Sequence, residues 1–315
     1  MLGEIYALLS AASFGVAGAA VAKGAPTARG DNGVFLSILI TLSLSALLWL
    51  MFGTDVSTID GSRALVIAVG WFVVAGILAT VFGRLTNFRS IALAGAIRAS
   101  LFRRLIPVFS TALAFLLLGE TYAPAVLAGM CLIIFSIAMV IWERTPQTAI
   151  GFASVTPGQL RFGLLFGSIS ALCYALAYIA RKLAMEHLAD AALGALIGAL
   201  TGVLWYLLAS LDSPRYRSAL VSVFSSAGPW QWLAAFGMSL GQIFLFFALL
   251  TAQVAVVAII GSLEMFVGAY FAAFLFEASL YPVGQPLWVP LSPFWVSSLS
   301  RLANPEVVPE NWTVS

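Results

Sequence analysis

The chain has 315 residues, of which 62% are hydrophobic and 9% charged, with a formal charge of +2. Water-soluble domains carry roughly a quarter charged residues, so this composition excludes one. The charge is too small and too scattered for a nucleic-acid partner, and the apolar runs are too long and continuous for a transmembrane barrel. What is left is an all-α polytopic membrane protein.

Apolar windows near ~20 residues long predict the spans. The first covers 4–22 and is read as a retained helix, because MLGEIYALLS has no basic segment ahead of its apolar run. The second covers 33–52 and ends in the turn-rich GTDVSTIDGSR; the third covers 64–87, closed by Arg84 and Arg89. The fourth, 96–118, carries Arg98, Arg103 and Arg104 in its first half, and the fifth is 124–142. A polar break then divides the chain near its middle. The sixth to ninth spans are 162–180, 191–211, 230–250 and 252–276, with Glu264 inside the ninth.

The two halves resemble each other. Ser10, Ala11 and Phe14 are matched at one constant spacing by Ser170, Ala171 and Tyr174. At nearly the same spacing, Phe109, Ala112, Leu118 and Glu120 are matched by Phe266, Ala269, Leu275 and Glu277. A duplicated unit with an odd number of spans must enter the membrane upside down, and inverted repeats are a transporter architecture with a site near the midplane. The expected organisation is a first repeat over 1–143, a loop over 144–161, a second repeat over 162–277 and a divergent tail over 278–315.

LAFLLLGE followed by APAVLAGMCLIIFSIAMV resembles the EamA-type signature of the drug/metabolite transporter superfamily, with Pro107, Gly119, Glu120 and Gly129 at its marked positions. SLEMFVGAYFAAFLFE is similar to the ninth helix of that family, with Ser262, Leu263 and Glu264 as its S-L-E. The resemblance implies two inverted five-helix repeats and secondary active transport of a small metabolite (an amino acid, a related metabolite or a drug-like compound), with export favoured, across a bacterial plasma membrane. Phe14-Gly15 departs from the family's Trp-Gly, and Phe276-Glu277 from its Gly-Glu.

The largest departure is the tail, where the resemblance implies a tenth helix. Pro282, Pro286, Pro290, Pro293, Pro305 and Pro309 lie there, and a helix-interior proline costs about 3 kcal/mol. The expectation is about nine spans with the tenth lost, by truncation or a frameshift. The alternative to a transporter is therefore an inactive membrane protein or scaffold.

The candidate substrate-binding residues are Glu264, Arg104, Arg103, Asn87, Tyr174, Gln242 and Gln253. An ionisable side chain inside a span faces a cavity or a partner, so Glu264 reads as a cation or proton site or as half of a structural ion pair. Arg103 and Arg104 point about 100° apart on a continuous helix, so one pairs with Glu264 or an anionic substrate group and the other snorkels. Arg98 is read as snorkelling to the interface. The neutral polar side chains line a cavity or bond a neighbouring helix.

His187 stands alone in a loop and takes no metal, and no cofactor is implied. GxxxxGK[ST], HExxH and GxSxG motifs are missing, so the chain is read as neither an ATPase nor another enzyme. The expected partners are the bilayer and a small-molecule substrate, with proton coupling open. Basic residues concentrate after odd-numbered spans, against Arg63, Arg181 and Lys182 after even ones, which places the N-terminus outside; the family resemblance implies the reverse.

Overall fold

Small residues hold this bundle together. Alanine predominates among the buried apolar side chains, with Ser10, Ser45, Ser90, Ser110, Ser170 and Ser239 buried beside them, while leucines and phenylalanines such as Leu50, Phe52, Leu116 and Leu208 point outward. In lipid an outward Leu costs nothing, and close backbone approach through Ala, Gly and Ser is what joins helices. The computed structural model describes residues 1–24, 33–54, 62–94, 102–142, 157–225 and 227–275. The predicted tail and the positions of Arg98 and Glu277 lie outside them.

The elements are α1 (Leu2–Gly24), α2 (Val34–Phe52), α3 (Ser62–Gly76), a π-helical turn (Ile77–Gly83), α4 (Arg84–Ala94), α5 (Leu105–Leu118) and α6 (Pro124–Trp142). There follow α7 (Pro157–His187), α8 (Ala191–Asp212), α9 (Pro214–Val221), α10 (Pro229–Thr251), α11 (Val254–Gly261) and α12 (Glu264–Leu275). There is no strand among the described residues. Six of the described helices are long and apolar enough to cross a membrane, α3, the π turn and part of α4 counting together as one.

Three differences from the sequence reading matter. The third span continues to Ala94 through the π turn, so Arg84 and Arg89 lie within a helix and do not close it. The sixth runs on to His187, which places Arg181, Lys182 and His187 in α7 and removes them from a loop. This also takes Arg181 and Lys182 out of the loop charges on which the orientation argument drew. The ninth span is broken in two at Ser262 and Leu263.

Packing runs between the two ends of the sequence. The first helix, α1, packs antiparallel on α10 and against α12, while α7 packs on α3, α4 and α5. Two contacts match across these interfaces. Ser10 Oγ donates to the Gly241 carbonyl at 2.8 Å, and Ser170 Oγ donates to the Gly83 carbonyl at 2.7 Å. Beside each, an aromatic ring lies on the glycine: a Cβ at Gly241 would stand 2.9 Å from the Phe14 ring, and one at Gly83 would stand 3.2 Å from Tyr174. Gly83 ends the π turn, and its carbonyl also accepts from the Thr86 hydroxyl at 3.2 Å.

Candidate functional site

Two helices are interrupted where the charges sit. Before α5, residues 102–103 are helical, Arg104 forms a turn, and the helix restarts at Leu105. On the other side, α11 ends at Gly261 and tightens through i–3 bonds, Leu263 N to Ile260 O at 3.0 Å and Phe266 N to Leu263 O at 3.0 Å. Glu264 is therefore the first residue of α12 and not the middle of a continuous helix. A carboxylate at a helix N-terminus is stabilised by the exposed amides and the dipole there.

Arg103 Nη2 stands 4.0 Å from Glu264 Oε1, with both side chains roughly half exposed (45% and 39%). The Arg103 guanidinium also lies 5.6 Å from the centre of the Tyr174 ring on α7. Arg104 turns its Nη2 onto the Met265 sulfur, while its Nε is buried without an acceptor. Both arginines thus meet the first two residues of α12. The sequence argument that they diverge by about 100° assumed an unbroken helix, and the turn at Arg104 removes that assumption.

The approach of α1 to this junction depends on Gly15, because a Cβ there would stand 2.6 Å from the Glu264 carbonyl. The Phe14-Gly15 pair in the first span therefore lies beside the charged centre. Only the glycine half of that pair is needed for the contact.

The other sequence candidates divide between this centre and more distant places. Gln242, on α10, faces Arg181: with its amide turned so that the carbonyl points at the guanidinium, Oε1 accepts from Nη2 at 2.8 Å and Nη1 at 3.2 Å. The opposite amide orientation would set donor against donor. Asn87 is half-buried on α4, which packs on α7, and makes no hydrogen bond to another described residue. Gln253 lies at the far end of α11 as its N-cap residue, its Nε2 donating to the Thr121 carbonyl at 3.2 Å.

Sequence reasoning missed Arg181. Reading the helix as ended at Ala180 made the next residue a loop cation. It is 5% exposed, with its guanidinium 4.5 Å from the Phe246 ring centre and 5.8 Å from that of Tyr178. The signal was available in the apolar residues Leu183, Ala184 and Met185, which continue the span past the two cations.

Gln253 belongs to a seam that knits one end of the bundle. Gly119 closes α5 at φ 64°, and the amides of Gly119 and Glu120 both return to the Ala114 carbonyl. The Glu120 carboxylate then accepts the Val254 amide at 3.1 Å, capping α11, and its other oxygen lies 3.1 Å from the Tyr122 hydroxyl. Burial, and behind it the Glu120 carboxylate, pushes the Tyr122 phenol well above its ordinary range. Lys182 Nζ donates to the carbonyls of Leu249 (2.9 Å) and Ala252 (3.0 Å) at the end of α10. Asp190 caps α8 through Leu193 N and also accepts the Thr54 amide at 2.8 Å. The L-G-E motif is thereby explained: the glycine turns the chain and the glutamate caps a helix of the other half.

A separate groove lined by Leu36, Leu39, Ile40, Phe224, Trp232 and Phe236 is almost wholly apolar and includes none of the charged residues. Among the described residues no group of three or more His, Cys, Asp or Glu is placed to hold a metal ion.

Residues 1–142 match the EamA-like transporter family. No curated protein matches the chain at the sequence level. A solved crystal structure aligns with a TM-score of 0.62 and 18% identity, over 97% of this chain and 96% of that one, which is likeness of fold. The likeness to EamA-like transporters thus extends over residues 1–142, within an integral membrane protein.

Proposed function

We propose that the protein is a secondary active transporter that exports a small metabolite by alternating access between two inverted five-helix repeats. The observation that carries this reading is the pair of interrupted helices, broken at Arg104 and at Ser262–Leu263, which bring Arg103 and Glu264 to 4.0 Å. Interrupted helices in corresponding places of two halves are the strongest pointer to a midplane binding site. The matched Ser10–Gly241 and Ser170–Gly83 bonds support the repeat.

In this reading the bundle is sealed at the seam and accessible at the charged centre, where Arg103 and Glu264 retain exposure. Bonds such as Glu120–Val254, Gln253–Thr121 and Asp190–Thr54 join the two halves and would part when this end opens. Glu264, Arg103, Arg104 and Tyr174 then contact substrate, Asn87 and Gln242 border its path, and Gln253 acts at the seam. The nine-span count and the bacterial plasma membrane belong to the same proposal.

The test is flux. Purified protein in liposomes, loaded with a mixture of amino acids, organic acids and cationic drugs, is expected to release at least one of them faster than empty liposomes do. Release from none of them, together with restored release after a tenth helix is grafted onto position 277, would instead identify an inactive chain.

A further inference from the structure

Arg181 is a buried cation without a counter-ion among the described residues. Its side chain is 5% exposed, its Nε has no acceptor, and its terminal nitrogens share one neutral acceptor, Gln242. Its electrostatic neighbours are the phenols of Tyr178 and Tyr174, and no carboxylate among the described residues pairs with it. Glu264 is engaged by Arg103, and Lys182, next in sequence, is turned to the carbonyls ending α10.

Taking an unpaired charge out of water is expensive, and most of all inside a membrane. The packing here does not require one: Phe246 and Tyr178 offer apolar ring faces to this position, against which an uncharged side chain of the same length would rest without that cost. A guanidinium 4.5 Å from a ring centre, with both terminal nitrogens on one displaceable amide, can instead present a fork to an oxyanion.

We propose that Arg181 binds the carboxylate of a small monoanionic substrate, which displaces the Gln242 carbonyl and takes both terminal N–H groups. A monoanion fits because one guanidinium and one neutral amide supply a single positive charge. Tyr178 stands beside Arg181, its ring centre 5.8 Å from the guanidinium. Along α7, Arg181 is about 10 Å from Tyr174, so a small carboxylate entering at the Arg103–Glu264 pair passes two tyrosines before reaching it. This inference deepens the transporter reading and rests on it for the route, but binding at Arg181 is measurable without flux.

Purified protein is titrated with benzoate, lactate and phenylacetate, each beside its uncharged partner (benzamide, lactamide and phenylacetamide), and its thermal midpoint is followed by tryptophan fluorescence. At least one carboxylate raises the midpoint and its amide does not. Arg181→Met removes the response while melting at or above the wild-type midpoint, and Arg181→Lys responds with about tenfold weaker affinity, as losing one charge-assisted hydrogen bond requires. No response to any carboxylate, an equal response to the amides, or an undiminished response in Arg181→Met overturns the proposal. If Arg181→Met does not fold, an unchanged affinity in Arg181→Lys overturns it. Flux of a cation or neutral compound without carboxylate binding defeats this inference alone, whereas carboxylate binding without flux of any compound defeats the transporter reading alone.

Discussion

Arg103 and Glu264, far apart in sequence, meet end-on at two helix interruptions, 4.0 Å apart beneath the Tyr174 ring. Half-exposed pairs of this kind add little to stability, under about 1 kcal/mol. Their value to the protein must then be looked for in what they bind.

Glu264→Gln and Arg103→Gln are each expected to lower flux of the carried substrate by about tenfold or more, with thermal midpoints near wild type. The charge-swapped double variant Arg103→Glu/Glu264→Arg recovers part of the flux only if the pair itself cycles. Substrate release from liposomes and fluorescence melts measure both. A large drop in midpoint with flux per folded molecule intact would assign the pair to structure.

Glu120→Ala removes the cap of α11 and one bond across the seam. Losing a helix cap costs about 1 kcal/mol, so the sealed end opens more often. With Cys131 and Cys173 replaced, Val254→Cys, at a fully buried position of the seam, is expected to react with a water-soluble maleimide several-fold faster in this variant. Equal rates would show that Glu120 caps the helix without holding the end closed.

Ser10→Ala and Ser170→Ala delete matched bonds, each leaving a buried carbonyl with one donor fewer. Hydrogen bonds between membrane helices are worth about 0.6 kcal/mol on average, so the two variants are expected to lose similar small amounts. Unfolding in mixed micelles gives the comparison, and a Ser10→Ala loss clearly exceeding that of Ser170→Ala would separate the two contacts.

Gly15→Val would force a side chain into the Glu264 carbonyl, which a Cβ alone would approach to 2.6 Å. Overpacking costs about 1–3 kcal/mol, and here it would push α12 away from α1. Both the midpoint and flux are expected to fall, and Gly18→Val, with nothing within 4 Å of its Cβ position, serves as the tolerated control.

Most of the helices were legible because unbroken apolar runs state their own length in lipid. The fifth predicted span coincides with α6, and the eighth differs from α10 by one residue at either end. What escaped were places where the chain spends polar groups inside the bundle. The break before Glu264 has no proline or turn motif to announce it, only Gly261 and Ser262. The extension of α7 past Arg181 and Lys182 was hidden because paired cations read as a loop, although α7 and α10 bury one and recruit the other. The short helix α9 falls between the predicted spans 191–211 and 230–250, because its sequence, PRYRSALV, is amphipathic and too short to span. Among the site candidates, Glu264, Arg103, Arg104 and Tyr174 come together, while Gln253 joins the seam through its side-chain amide on the Thr121 carbonyl, a placement that polarity alone does not encode.

The seam also sets an energy scale. The three bonds that join the halves there, Glu120–Val254, Gln253–Thr121 and Asp190–Thr54, are worth about 1 kcal/mol each in net terms. In the transport cycle proposed above, their sum, about 3 kcal/mol, would place the opposite-facing conformer at roughly the one-per-cent level. A ligand that favours that conformer by about two orders of magnitude in affinity brings the two populations level. In that cycle the sealed state would be a modest preference that ordinary binding free energy can reverse.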